Sequence, residues 1–405
     1  MSSRPHFFII VLAGVVIIGA AAYAVSFDQT HIVATSTTTN TPLTQTAATV
    51  EPIPITIVHG VIQTATTTAT SSTAIASTTS SKSPIIKRSH TIPKSQPAPA
   101  ATHTDSTTLP QVTRIENPYN TSPESFDTVN VAAREALVNI LCISKTGSAS
   151  GLVSGSGVII DPRGIILTNA HVAQYVLLSQ DPDVNLRCFI RTGAPAKDEW
   201  TAQVLYIPPV WVQAHAAELN VTHPTGTGEH DYALLLVNGI AQGGSLPRVF
   251  PSVPIDTRDG IGFVGDQVIG ASYPAEFLSG MIAENDLYPV SSVSPIDQLL
   301  TFGTTTVDVV SIGGVVEAQG GSSGGAVLNA WGRLIGIITT TSAASTTAGR
   351  DLRALTLSYI NRDIALQTGS NLNDYLSSDV VSEAATFNAT VAPELIQHYI
   401  PVISQ

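Results

Sequence analysis

From residue 126 onward, short apolar runs recur along the chain, each closed off by Gly, Pro, Asp or Asn. VNILCIS begins at 138, and SGVIID, GIILTNAHV, LRCFIRT, WTAQVLYI and DYALLLV follow it. DQVIGASYP, VDVVSIGG, GAVLNAWGRLIGIITTT and ALTLSYI come later. Most are too short for a packed helix, which needs an apolar stripe kept up for about ten residues or more. Their β-branched content suits a pleated, half-buried surface instead. With 30 Gly and 25 Pro to make turns, the stretch is expected to be an all-β domain of two sets of strands. One segment breaks the pattern: TVNVAAREAL at 128–137 is expected to be helical.

Thr, Ser, Ala and Pro dominate residues 26–125, without a sustained period of 3.6 or 2. Such a segment cannot bury enough apolar surface to offset its ordering entropy, so a disordered spacer is expected. Ahead of it, FFIIVLAGVVIIGAAAYAV at 7–25 runs for 19 residues without a charge. As a helix it would match the hydrocarbon thickness of a bilayer. Two readings of this run stand. Its length favours an uncleaved transmembrane anchor, with residues 1–6 and Arg4 on the cytoplasmic side. Ala22-Tyr23-Ala24 has the small-x-small form of a signal-peptide cleavage site. Either way the remainder is expected outside the cytoplasm, held to the cell membrane by a single pass or secreted after cleavage. The expected organisation is therefore 1–6, an anchor or signal at 7–25, a spacer at 26–125, a domain at 126–367 and a tail of short helices at 368–405.

The net charge of −12 comes from a charged fraction of 12 % with no basic stripe, which argues against nucleic acid as a partner. No G-x-G-x-x-G lies between a strand and a helix and no P-loop is present, so no cofactor is expected. His215, His223 and His230 are irregularly spaced and read as loop histidines, with no metal site. The two cysteines, Cys142 and Cys188, belong to no CxxC pair. A disulfide and two buried thiols are both open readings.

Three short motifs carry chemistry. GIILTNAHVA ends just past His171; GEHDYALLLV opens an apolar strand at Asp231; GGSSGGAVLNAWGRLIGI holds Ser323 in a glycine-rich turn that leads into a hairpin. A hydroxyl is a weak nucleophile at neutral pH and needs a base to take its proton. The base in turn needs an acceptor that fixes its tautomer. A tight glycine turn lets successive backbone N–H groups converge on a developing oxyanion. Singly each motif is ordinary; in this order they are specific.

In these motifs the sequence resembles the trypsin-like (chymotrypsin-fold) serine proteases, and among them the bacterial high-temperature-requirement branch. TNAHV matches the histidine motif, HDYALLLV the aspartate motif and GSSGGAV the serine motif, over about residues 130–364. The resemblance implies two six-stranded antiparallel β-barrels with the site in the crevice between them. It implies His171 as general base, Asp231 as its orienting partner and Ser323 as nucleophile, with the Gly321 and Ser323 N–H groups as oxyanion hole. The substrates implied are proteins or peptides. It also sets Cys142 and Cys188 on the first and fourth strands of the first barrel, side by side. Counting six residues back from Ser323 puts Glu317 at the base of the primary specificity pocket, where an acid selects Lys or Arg. Ser322 replaces the aspartate that digestive members pair with a new N-terminus, so activation by N-terminal cleavage is not expected. The residues after Ile364 are too few for the peptide-binding PDZ module of many relatives. The competing expectation is a protease-fold binding or cell-surface protein without activity, which leaves an intact triad without a chemical reason.

Overall fold

The computed structural model describes residues 112–146, 149–221, 226–303, 305–341 and 346–403. The apolar run at 7–25, the spacer as far as 111, and His223 lie outside the described residues. No helix among the described residues is long and apolar enough to cross a membrane.

Helix α1 (Phe126–Ala136) starts where the Ser125 hydroxyl accepts from the Thr128 N–H, and it buries Val129, Ala133 and Ala136, one turn apart on a single face. The chain then forms β1 (Leu137–Thr146), β2 (Ala149–Asp161) and β3 (Ile165–Thr168). Next come α2 (Ala170–Leu178), β4 (Leu186–Thr192), β5 (Lys197–Tyr206), α3 (Pro209–His215) and β6 (Ala233–Ile240). The six strands close into a barrel in the order β1-β2-β3-β6-β5-β4, antiparallel throughout. Closure falls between β1 and β4, where Cys142 lies directly opposite Cys188 and the two form a disulfide.

The second half comprises β7 (Gln267–Ser272), α4 (Gly280–Asn285), β8 (Val290–Pro295), β9 (Gln298–Leu300) and β10 (Val309–Ser311). It continues with β11 (Ala326–Asn329), β12 (Leu334–Thr341) and β13 (Leu352–Thr356). These strands pair as one seven-stranded sheet, β8-β7-β11-β12-β13-β10-β9, and not as the second closed six-stranded ring expected from the resemblance. The reason lies in one bent segment. β8 and β9 are the two edges of the sheet, yet only Ile296 and Asp297 separate them. Pro295 ends β8 with no N–H to offer. Beyond it the Ile296 N–H turns to Asp266 O and the Asp297 N–H to Ser311 O, on opposite flanks. A half-barrel results whose edges are joined by the chain itself.

Residues 112–125 depart from the expected spacer, for they pack on this second sheet. The Ile115 N–H bonds Gly260 O, Arg114 pairs with Asp266, and the Tyr119 hydroxyl donates to Asp256. Trp331 Nε1 donates to Thr121 O and the Glu124 N–H to Ala330 O. Polar composition hid them, because they are held by hydrogen bonds and ring contacts, not by an apolar face. At the other end, α5 (Leu357–Thr368) follows β13, and α6 (Leu372–Ser377), α7 (Val380–Thr390), α8 (Ala392–Gln397) and α9 (Ile400–Ile403) complete the chain. α5 packs against β12 and β13, and the helices after it reach the first barrel: Asn388 donates to Val204 O, and the Tyr206 ring meets those of Tyr375 and Phe387.

Candidate active site

His171 stands in the first turn of α2, directly behind β3, so a short buried strand sets its position. Asp231 precedes β6, which pairs with β3 from Ile165–Leu236 to Thr168–Ala233. That register delivers the two residues to the same barrel end. The Asp231 carboxylate accepts the His171 backbone N–H at 2.9 Å through Oδ1, and Oδ2 lies 2.8 Å from His171 Nδ1. Thr339 on β12 donates its hydroxyl to Oδ2 at 2.9 Å, and Asn169 donates to the Asp231 carbonyl at 2.8 Å. The carboxylate is 5 % exposed. Burial alone would push its pKa up, but the His171 charge and the hydrogen bonds from His171 and Thr339 outweigh it and hold the carboxyl below its ordinary value. His171 is shifted the other way: burial disfavours its cation, and the Asp231 charge and hydrogen bond overcome that, raising it above 6.5. Nδ1 is therefore the protonated nitrogen facing Asp231, leaving Nε2 as the base.

Ser323 occupies a turn between the second sheet and the first barrel. Its carbonyl accepts the Ser156 N–H at 2.7 Å, and the Ser156 hydroxyl donates to Gly321 O at 2.8 Å. Thr168, three residues before His171, donates to Ser156 O at 2.7 Å. On the other flank the Gly324 N–H bonds Ile338 O, one residue before Thr339. The turn is thus tied directly to β2 and β12, and through Ser156 to the Thr168 hydroxyl at the end of β3, beside the His171–Asp231 pair. Ser323 is half-buried, and among the described residues its hydroxyl makes no hydrogen bond. Two glycines are required sterically. Gly324 has φ +84°, and a Cβ there would lie 2.1 Å from Ser156 O; Gly321 has φ +91°, and a Cβ would meet Tyr273 O and Ala275 N at 2.8 Å. Among the described residues the Gly321 and Ser323 N–H groups donate to no protein acceptor. Ser322 is buried and shares a hydrogen bond with Ser272 at 2.9 Å.

Residues 155–337 match the trypsin-like peptidase domain family. The matched stretch runs from β2 to β12 and contains His171, Asp231 and Ser323. It supports a trypsin-like serine protease, a hydrolase of protein or peptide substrates. The closed barrel beside a half-barrel is consistent with that fold. No curated protein matches the chain.

Glu317 is fully buried, packed beside Gly270 on β7. Its Oε2 accepts from Ser292 at 2.6 Å and its Oε1 has no protein partner. Burial raises the pKa of this carboxyl, against the Ser292 hydrogen bond. Of the histidines expected in loops, His215 instead ends α3, where it pairs with Glu218 and stacks on Trp211, and His230 pairs with Asp363. Sequence reading did not single out Thr339, Asn169 or Ser156. Asn169 lies inside the TNAHV motif but had no role of its own there, and Thr339 and Ser156 are polar residues within strands that no local pattern marks. Their roles arise only when strands far apart in sequence become neighbours.

Proposed function

We propose that the chain is an extracytoplasmic serine endopeptidase that works through His171, Asp231 and Ser323. The observation that carries this reading is the Asp231 carboxylate, buried and held by three donors, with His171 Nδ1 as one of its partners. Ser323 Oγ attacks the scissile carbonyl carbon while His171 Nε2 takes its proton. The carbonyl oxygen becomes an anion held by the Gly321 and Ser323 N–H groups. Collapse breaks the C–N bond, the leaving amine takes the proton from His171, and an acyl-enzyme remains. Water attacks it with His171 again as base, releasing the acid and restoring the Ser323 hydroxyl.

The motifs around the three residues favour the high-temperature-requirement branch. The apolar run at 7–25 favours a membrane tether, with secretion after cleavage as the other outcome. A disulfide closing the first barrel fits an oxidising compartment. In this reading Glu317 lies at the base of the primary specificity pocket. Its oxygen without a protein partner is the atom that would pair with a Lys or Arg side chain, and that pairing would offset the burial that raises its pKa.

A fluorophosphonate probe and a peptide-library digest test both levels. The wild type is expected to be labelled and to hydrolyse peptides, whereas Ser323→Ala does neither while keeping its fold. Equal rates in the two would point to a contaminant and to the inactive, binding-protein alternative. The same digest is expected to show cleavage after Lys and Arg that weakens in Glu317→Gln. Cleavage after Val, Ala or Ile, unchanged in that variant, removes Glu317 from the specificity pocket.

A further inference from the structure

The peptide joining Gly320 and Gly321 decides whether the oxyanion site exists at all. A trans peptide holds its C=O and N–H in opposite directions. The Gly321 N–H is therefore available to an anion only while the Gly320 carbonyl points elsewhere. Rotation of that peptide by half a turn would replace a donor with a carbonyl oxygen and repel the anion. Two adjacent glycines resist such a rotation less than any other pair, so the turn itself does not fix the orientation. Ser322, next to the nucleophile, carries no charge that would hold the turn by an ion pair; its hydroxyl is engaged with Ser272.

The hold comes from the loop between β7 and α4. Gly320 O accepts the Ala275 N–H at 2.8 Å and the Glu276 N–H at 3.1 Å. The Gly320 N–H donates to Glu276 Oε2 at 2.8 Å. Both polar groups of one glycine are thus bound by the same short segment. The Glu276 carboxylate is itself clamped by Arg350, NH1 to Oε2 at 2.6 Å and NH2 to Oε1 at 2.8 Å. Arg350 also donates to Ala318 O at 2.9 Å, in the loop leading to the nucleophile. A bidentate Arg–carboxylate pair has little freedom to rotate, and Arg350 is only 13 % exposed. We infer that Glu276, clamped by Arg350, is a positioning residue: its carboxylate fixes the preceding Gln319–Gly320 peptide and anchors the segment whose Ala275 and Glu276 N–H groups hold the Gly320 carbonyl, so that the Gly321 N–H faces the oxyanion. This inference rests on the serine-protease reading and names the device that readies the site without a new N-terminus. Glu276 touches no reacting atom. Its effect is expected in the transition state and not in substrate binding, because only the transition state carries the anion.

The test is steady-state kinetics of the full chain on a peptide substrate, with a peptide aldehyde as a probe that forms a tetrahedral adduct. Loss of one oxyanion donor costs about 10²–10³ in kcat, so Glu276→Ala, which leaves that donor misdirected part of the time, is expected to lose about 10- to 100-fold. KM should change by less than about threefold, and aldehyde affinity should fall in step with kcat/KM. Glu276→Gln, which retains an acceptor for the Gly320 N–H, should recover part of the loss. Arg350→Gln should lose kcat in the same sense and serves as the reporter if Glu276→Ala does not fold. Wild-type kcat in the folded variants, or a loss expressed in KM alone, overturns the inference. A wild type that ignores the fluorophosphonate probe overturns the protease reading, and this inference with it; a reactive wild type with an unaffected Glu276→Ala overturns the inference alone.

Discussion

At the scale of single residues, the site is governed by competition between burial and charge. His171 titrates above 6.5 because Asp231 outweighs the desolvation of its ring. In the proposed mechanism the neutral imidazole is the working base, so activity is lost as pH falls through that raised value. The acid limb of kcat/KM should therefore lie above pH 6.5 in the wild type. Asp231→Asn removes the opposing charge and leaves burial to act alone, so the limb should move to lower pH. Turnover should fall on the order of 10⁴, the loss that the same change causes in another member of this fold. An acid limb that stays in place in Asp231→Asn would mean that another group titrates. His171, Asp231 and Ser323 could be picked out from sequence because each sits in a motif whose neighbours are also constrained: a buried strand before His171, an apolar strand after Asp231, glycines around Ser323. Thr339 and Ser156 could not, since a hydroxyl in a strand reads the same whether it faces solvent or a catalytic carboxylate. Glu276 is equally silent, for its partners Gly320 and Arg350 are 44 and 74 residues away.

At the scale of elements, α5 is fastened beside the site by a polar clasp. Asp363 on α5 receives His230 Nδ1 at 2.9 Å, the Tyr232 hydroxyl at 2.9 Å and Gln367 at 2.6 Å, all on one oxygen. His230 and Tyr232 flank Asp231, so the clasp braces the segment that holds the Asp231 carboxylate. The Asp363 hydrogen bond raises the His230 pKa above 6.5, burial opposes it, and the charges of Asp363 and Glu229 add to the rise. A folded value above the unfolded one means that the pair's stabilisation is complete below about pH 6.5 and disappears as pH climbs through the folded value. His230→Asn keeps a residue tolerant of the left-handed backbone at φ +60°. It should cost about 1 kcal/mol in acid and progressively less in alkali. Thermal melts of both proteins from pH 5 to 9 check this, and a gap independent of pH would refute the clasp. The strands themselves were readable from length and β-branching, and α1 from its helical character. The corner at Ile296–Asp297 was not, because a bend that passes one strand from edge to edge depends on the neighbouring ladders and leaves little trace in local composition.

At the scale of the whole molecule, composition misplaces the N-terminal boundary of the folded unit. Thr, Asn, Pro and Ser make up eight of the fourteen residues 112–125, and by that measure they resemble the spacer. The structure gives them a definite task. Arg258 and Arg333 approach the Tyr119 ring at 5.2 and 4.7 Å, and its hydroxyl joins Asp256 to Asn329. Ser125 caps α1, and α1 in turn leads straight into β1, the strand on which the first barrel closes. A chain beginning at Val112 and one beginning at Phe126 contain the same triad, so they separate stability from chemistry. Starting at Phe126 removes the Ser125 cap, worth about 1 kcal/mol, together with the bonds to Asp256 and Asn329 at roughly 1 kcal/mol each. For a domain of this size each kcal/mol moves Tm by about 2–4 °C, so the shorter chain should melt about 6–12 °C lower. Its kcat at low temperature should stay near that of the longer chain, because none of the lost contacts involves His171, Asp231, Ser323 or Glu276. Equal melting temperatures would return residues 112–125 to the spacer, and a lost kcat in a still-folded Phe126 chain would tie this segment to the site itself.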